Sequence, residues 1–250
     1  MTRRVLLIHG AWQGAWVWES VVPMLEAAGL EPLAIDLPGS APDMPGRAGV
    51  TFADQVDFLK DVLADIDGPV FVVAHSGGGL AASQLAEDVP ERIAGIVYVA
   101  GMMLPDGVGF SELAEACRAD DPSASGIWPY LEHGEGVTKV PAAAAVEVFY
   151  HDCDPVAAAG AAARLTPQSN AARDVAPRVS AERFGSVPRA YVEARRDRSV
   201  VLVVQRRMQQ LTPGALRYYL DTGHAPMLAD PQALSETLIE AIGALSARRD

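Results

Sequence analysis

The run Pro69 to Leu80, PVFVVAHSGGGL, limits what this chain can fold into more than any other stretch. Val70 to Ala74 is apolar and rich in β-branched residues, long enough for one buried strand, and Gly79 to Val89 reads as a helix. Between them stands Ala74-His75-Ser76-Gly77-Gly78. A strand that becomes a helix over so few residues forces the apex residue, Ser76, into a strained backbone conformation. Gly77 and Gly78 make this possible by removing the Cβ atoms that would clash between helix and strand. The strain aims the Ser76 hydroxyl over the carboxyl edge of a sheet, and the positive end of the following helix faces the same spot. The usual form of such a turn is Gly-x-Ser-x-Gly; alanine takes the first glycine's place here.

The rest of the chain supplies the sheet. Arg4 to Ile8 reads as a first strand, Ala15 to Ala28 as a helix stopped by Gly29, and Leu33 to Leu37 as a second strand closed by Pro38-Gly39. A Pro- and Gly-rich loop, Ser40 to Val50, leads into a helix from Phe52 to Ile66 with a solvated acidic face. After the Ser76 unit come a strand from Ile93 to Ala100 and, much later, a strand from Arg189 to Glu193. A helix from Ser199 to Leu211, a strand from Leu216 to Leu220 and a helix from Pro231 to Leu245 complete the pattern. Such alternation predicts an α/β fold: about six strands in a mostly parallel sheet, flanked by helices, with ligands at the strands' carboxyl ends. Residues 102–187 break the rhythm, with short helical pieces, prolines and no clear strand. A structureless loop of that length does not suit a compact domain, so the segment reads as a helical cap inserted after the fourth strand. The core is then 1–101 and 188–250.

Composition narrows the partners. A chain of 250 residues, half of them hydrophobic, buries enough surface for one domain with an insertion. Its net charge of −12 repels phosphate backbones and anionic lipid, so neither nucleic acid nor a membrane is expected. The apolar run in MTRRVLLIHG is too short for a signal peptide or a span. Cys117 and Cys153 lack metal-ligand spacing and read as free thiols of a cytoplasmic protein. No metal or cofactor is implied, and a homodimer stays open as an assembly state.

Serine is a weak nucleophile, so Ser76 needs a base to take its proton and an acid to orient that base. Five histidines are available. His75 adjoins Ser76, so its side chain should point away from the apex; His133 and His151 lie in the cap; His9 closes the first strand. His224, in TGHAPML after the last strand, stands on the sheet edge where Ser76 emerges and is the expected base. For the acid, Asp197 follows the penultimate strand in EARRDRSV, giving the order Ser, Asp, His, with Asp106 as its rival and Asp221 as a plain strand-end residue. Gly77 should supply one N–H to a developing oxyanion and Ala11, in His9-Gly10-Ala11-Trp12, the other.

With these residues in place the chain resembles the α/β-hydrolase superfamily. The likeness is to the branch of plant methylesterases (the salicylate-binding type), hydroxynitrile lyases and related bacterial esterases. It rests on His9 to Trp16, Leu25 to Gly29, Ala74 to Gly78, Tyr98 to Gly101, Asp197 with Gln205 and Met208, and His224, and only loosely on Phe149 to Cys153 in the cap. The resemblance implies that Ser76, Asp197 and His224 form a triad and that Ala11 and Gly77 are the oxyanion donors. The lyase members carry threonine where Gly10 stands and lysine where Ala225 follows the histidine, so ester hydrolysis is favoured over cyanohydrin cleavage. Serine at 76 also departs from branches with an aspartate nucleophile. The expectation is a carboxylesterase acting through an acyl-enzyme on a small, apolar or aromatic ester, with Gly10, Trp12, Trp128, Tyr130, Phe149 and Ala225 about the substrate. The alternatives are a lyase, lactonase or cyclase acting on a secondary metabolite, and a weakly catalytic small-molecule binding protein.

Overall fold

The computed structural model describes residues 3–40 and 47–248. In chain order the elements begin with β1 (Arg3–Ile8), a 3-10 turn (Ala15–Trp18), α1 (Val22–Ala27), β2 (Leu30–Ile35) and α2 (Phe52–Ala64). Then come β3 (Val70–His75), α3 (Gly78–Asp88) and β4 (Ile93–Val99). The segment that follows holds α4 (Phe110–Cys117), β5 (Glu132–His133), β6 (Val137–Lys139), α5 (Ala142–Val148), α6 (Pro155–Ala163), β7 (Gln168–Ser169) and α7 (Asn170–Arg173). The chain closes with β8 (Arg189–Ala194), α8 (Leu202–Leu211), β9 (Leu216–Leu220), α9 (Pro226–Ala229) and α10 (Pro231–Ser246).

Six strands pair in parallel in the order β2-β1-β3-β4-β8-β9. Every residue of β3 and β4 is buried, which is why both read as unbroken apolar runs rather than alternating ones. Two apolar layers flank the sheet. One gathers Leu7, Val73, Val97 and Val192 with Leu234, Leu238 and Ile242 of α10. The other packs Leu6, Val72, Ile96 and Tyr191 against Leu80, Leu85 and Met208. Because β1 and β3 are neighbours, Ile8 lies opposite Ala74 and the loops that follow these strands meet at one edge.

Three sequence expectations change in the structure. The single helix over Ala15 to Ala28 is a 3-10 turn and a separate short helix, since Pro23 opens a new first turn rather than continuing an old one. The second strand begins at Leu30, three residues early. The cap is not wholly helical: β5, β6 and β7 form a small antiparallel sheet, with Glu132 opposite Lys139 and Val137 opposite Ser169. Strands of two or three residues carry no period that a sequence can show. The loop expected from Ser40 to Val50 falls partly outside the described residues. No described helix is long and apolar enough to cross a membrane.

Candidate active site

Among the described residues only three that are not glycine have positive φ: Trp12 at 62°, Ser76 at 48° and Ala100 at 44°. Ser76 and Trp12 line one cavity, and Ala100 follows the strand beside β3. Left-handed backbone costs a side-chain-bearing residue of order 1–3 kcal/mol, so it persists where the surroundings enforce it. At Ser76 the enforcement is visible. Its N–H donates to the Val99 carbonyl (3.2 Å), and its carbonyl accepts from Met102 (2.8 Å) and Gly79 (3.0 Å). Gly78 is fixed by contact as well, since a Cβ there would strike the carbonyl oxygen of His9. Backbone cannot yield as a flexible side chain does. Gly78→Ala is expected to lose about 1–3 kcal/mol of stability in urea denaturation; a wild-type midpoint would show that β1 and α3 can separate freely.

Next to this elbow the backbone of Ala11 packs against Gly77. The Ala11 nitrogen is 3.4 Å from where a Cβ on Gly77 would stand. Neither N–H donates to an acceptor among the described residues. Two free donors at the start of α3 can hold an oxygen that gains negative charge.

His224 lies in the loop between β9 and α9, 2% exposed. Its Nδ1 donates to Asp197 Oδ2 at 2.8 Å. Asp197 follows β8, and its other oxygen accepts the N–H groups of Ser199 (2.7 Å) and Val200 (3.0 Å). Both carboxylate oxygens are therefore committed, one to backbone and one to the imidazole, which directs Nε2 away from the acid. Asp106 is elsewhere: it accepts the Val179 N–H (3.1 Å) in an exposed turn. Asp221 pairs with Arg196 at the surface.

His75 points down from the apex and has its own task there. Its Nε2 lies 2.8 Å from the His224 carbonyl oxygen and its Nδ1 2.9 Å from Gln13 Oε1, two acceptors for the one N–H of a neutral ring, and its ring centre lies 4.7 Å from that of His224. Gln13 in turn accepts the Gly10 N–H (3.1 Å) and donates to the Tyr150 hydroxyl (3.3 Å). His9 is occupied by backbone, donating to Gly10 O (2.8 Å) and accepting from Leu37 N–H (3.1 Å). Gln13 and Tyr150 fall within the stretches His9 to Trp16 and Phe149 to Cys153 that carry the resemblance, but it is their contacts, not the sequence, that give them a role.

Burial lowers the pKa of His9 below its ordinary 6.5 and lowers that of His75 well below it, with His224 adding to the effect at His75. Both stay neutral in the folded protein at a pH where the unfolded chain takes up protons. Stability is then full above pH 6.5 and falls as pH drops below it, by up to about 1.4 kcal/mol per pH unit for each histidine. Urea midpoints at about pH 7 and pH 5.5 measure this; a midpoint that rose on acidification would contradict it.

The cavity over the elbow is lined by Gly10, Ala11, Trp12, Ser76, Gly77 and Trp128, together with Leu37, Leu80, Phe110 and Ile127. Phe149 lies outside that lining, buried against the His224 ring with centres 5.1 Å apart. Ala225 is wholly buried behind His224. Tyr130 is a correction: it is 44% exposed on the outer surface, since two steps along the 3-10 turn Trp128–Tyr130 carry it away from the side that Trp128 presents inward.

A parallel sheet bearing a strained strand-to-helix elbow beneath a largely helical cap is the architecture of the α/β hydrolases. The chain belongs to the alpha/beta hydrolase family, which its residues 5–237 match. It is similar to a pyrethroid hydrolase of Sphingobium wenxiniae, 29% identical over 243 residues that cover 94% of this chain and 86% of the relative. It is equally similar to salicylic acid-binding protein 2 of Nicotiana tabacum, 29% identical over 252 residues, 95% of this chain and 96% of that one. A solved pyrethroid hydrolase from Sphingobium faniae superposes with a TM-score of 0.83 at 26% identity, covering 98% of both chains. The expected resemblance to plant and bacterial members of one branch is borne out.

Proposed function

We propose that this protein is a serine carboxylesterase acting on a small-molecule ester. The observation that carries the reading is the elbow: Ser76 is held left-handed over a cavity beside two unspent N–H donors. Ser76 Oγ attacks the ester carbonyl as His224 takes its proton, and Asp197 fixes the imidazole tautomer and stabilises the imidazolium. The N–H groups of Ala11 and Gly77 take up the charge on the carbonyl oxygen. His224 returns the proton to the leaving alcohol, and a water activated by the same base cleaves the acyl-enzyme. An apolar cavity wall of Trp12, Trp128, Phe110 and Ile127 suits an apolar or aromatic portion of the substrate. Relatives that include a pyrethroid hydrolase support hydrolysis over lyase chemistry. Two free cysteines suit a reducing compartment, the cytoplasm.

The test is covalent. A fluorophosphonate should add once, at Ser76, as read by peptide mass, and should abolish hydrolysis of p-nitrophenyl butyrate in proportion to labelling. A label on another residue, or full activity after stoichiometric labelling of Ser76, would overturn the assignment.

A further inference from the structure

One side chain in the cavity fits poorly with an apolar substrate. Among the described residues Arg173, the last residue of α7, is the only lysine or arginine lining the space above Ser76, in a chain whose net charge is −12. Its guanidinium carbon lies 4.3 Å from the centre of the Trp128 ring and 5.5 Å from that of Trp12. Among the described residues it makes no hydrogen bond or ion pair, and its Nε is buried without a partner. Its sequence neighbour Asp174 also lines the cavity but is exposed to solvent and forms no ion pair with it. Arg173 is half-buried, whereas the buried Arg189 is used differently: it donates to the carbonyls of Phe184 (2.9 Å), Val187 (3.1 Å) and Pro213 (3.1 Å).

Aromatic faces attract a cation through their quadrupoles, but they do not satisfy in-plane N–H groups. A guanidinium stacked on indole keeps its donor edge free, and that edge has the geometry of a carboxylate. Arg173, Trp12 and Trp128 line the same cavity as Ala11, Ser76 and Gly77, so a substrate held at Ser76 shares that space with the guanidinium. Burial lowers the Arg173 pKa from its ordinary value, which marks the cost of keeping this charge where it is. An apolar residue would fill the place without that cost.

We propose that Arg173 is a specificity residue that binds an anionic group of the substrate, so that the natural ester also carries a carboxylate. This inference rests on the esterase reading, and the experiment separates the two. Two substrate pairs are compared by pH-stat: monomethyl adipate against methyl hexanoate, with the carboxylate on the acyl side, and 4-acetoxybenzoate against phenyl acetate, with it on the alcohol side. Wild type should favour the anionic member of one pair by tenfold or more in kcat/KM. Arg173→Gln should reduce that ratio by on the order of 10–100-fold, and Arg173→Lys by less. A side chain that only packs would lower both members in parallel and leave the ratio alone. Wild-type preference for the neutral ester in both pairs would overturn the inference while leaving the esterase reading standing. Should Arg173→Gln fail to fold, the wild-type ratio still decides, and it should fall with added salt for the anionic member alone. If wild type hydrolyses none of the four esters, the esterase reading fails. Benzoate is then titrated against tryptophan fluorescence: binding tenfold weaker in Arg173→Gln supports the anion site, and equal binding in the two proteins, or none in either, refutes it.

Discussion

Ser76→Ala is expected to lower kcat for p-nitrophenyl butyrate by on the order of 10⁴–10⁶, the largest effect of any single change in this chain. The magnitude follows from the proposed role: without a hydroxyl no acyl-enzyme would form, and only the N–H groups of Ala11 and Gly77 and substrate binding would remain to help a water. Alanine is smaller than serine and keeps the backbone N–H and carbonyl that anchor the turn to Val99, Met102 and Gly79. Circular dichroism should therefore be unchanged. Hydrolysis at the wild-type rate in a folded Ser76→Ala protein would remove Ser76 from the mechanism.

The second large effect belongs to the acid. Asp197→Asn retains the shape and an oxygen able to accept from Ser199 and Val200, yet its amide can face His224 with a donor. The imidazole then takes the tautomer with its proton on the nitrogen that should receive one from serine. We expect kcat to drop on the order of 10²–10⁴, with the melting temperature near wild type. Asp106→Asn, in an exposed turn bonded to Val179, should stay within about threefold of wild type. Were Asp106→Asn inactive and Asp197→Asn active, the bond of 2.8 Å between His224 and Asp197 would serve structure alone.

Much of this was legible in the residues, for identifiable reasons. The core strands are buried on both faces, so β3 and β4 appear as continuous apolar runs, and the elbow is read from the glycines a tight strand-to-helix turn demands. Ser76, Asp197 and His224 each follow a strand whose pattern is clear, and parallel pairing carries their loops to one edge. What escaped had no period or no motif. β5 and β6 are a hairpin whose strands of two and three residues are too short to show a period, and β6 pairs with β7 through partners about thirty residues apart that no local pattern links. Arg173 reads as one more charge in a polar stretch until the fold sets it on two indoles. Tyr130 and Trp128 look alike as cap aromatics, and only the turn geometry tells the inward ring from the outward one.

The cap does more than cover. Gln168 accepts the Trp12 N–H (3.0 Å), Thr166 donates to the Trp12 carbonyl (2.9 Å), and Thr138 accepts from the Trp12 indole (3.2 Å). On the other side Asp152 accepts the N–H of Gly223, beside His224, at 2.6 Å. The cap thus sets the backbone on both flanks of Ser76: the residue after Ala11 and the residue before the histidine. An insertion tied in this way is a poor unit of exchange. A chimera bearing a relative's cap would inherit new walls and lose the struts that hold the core's own loops, so specificity in this lineage is better changed residue by residue than by swapping modules.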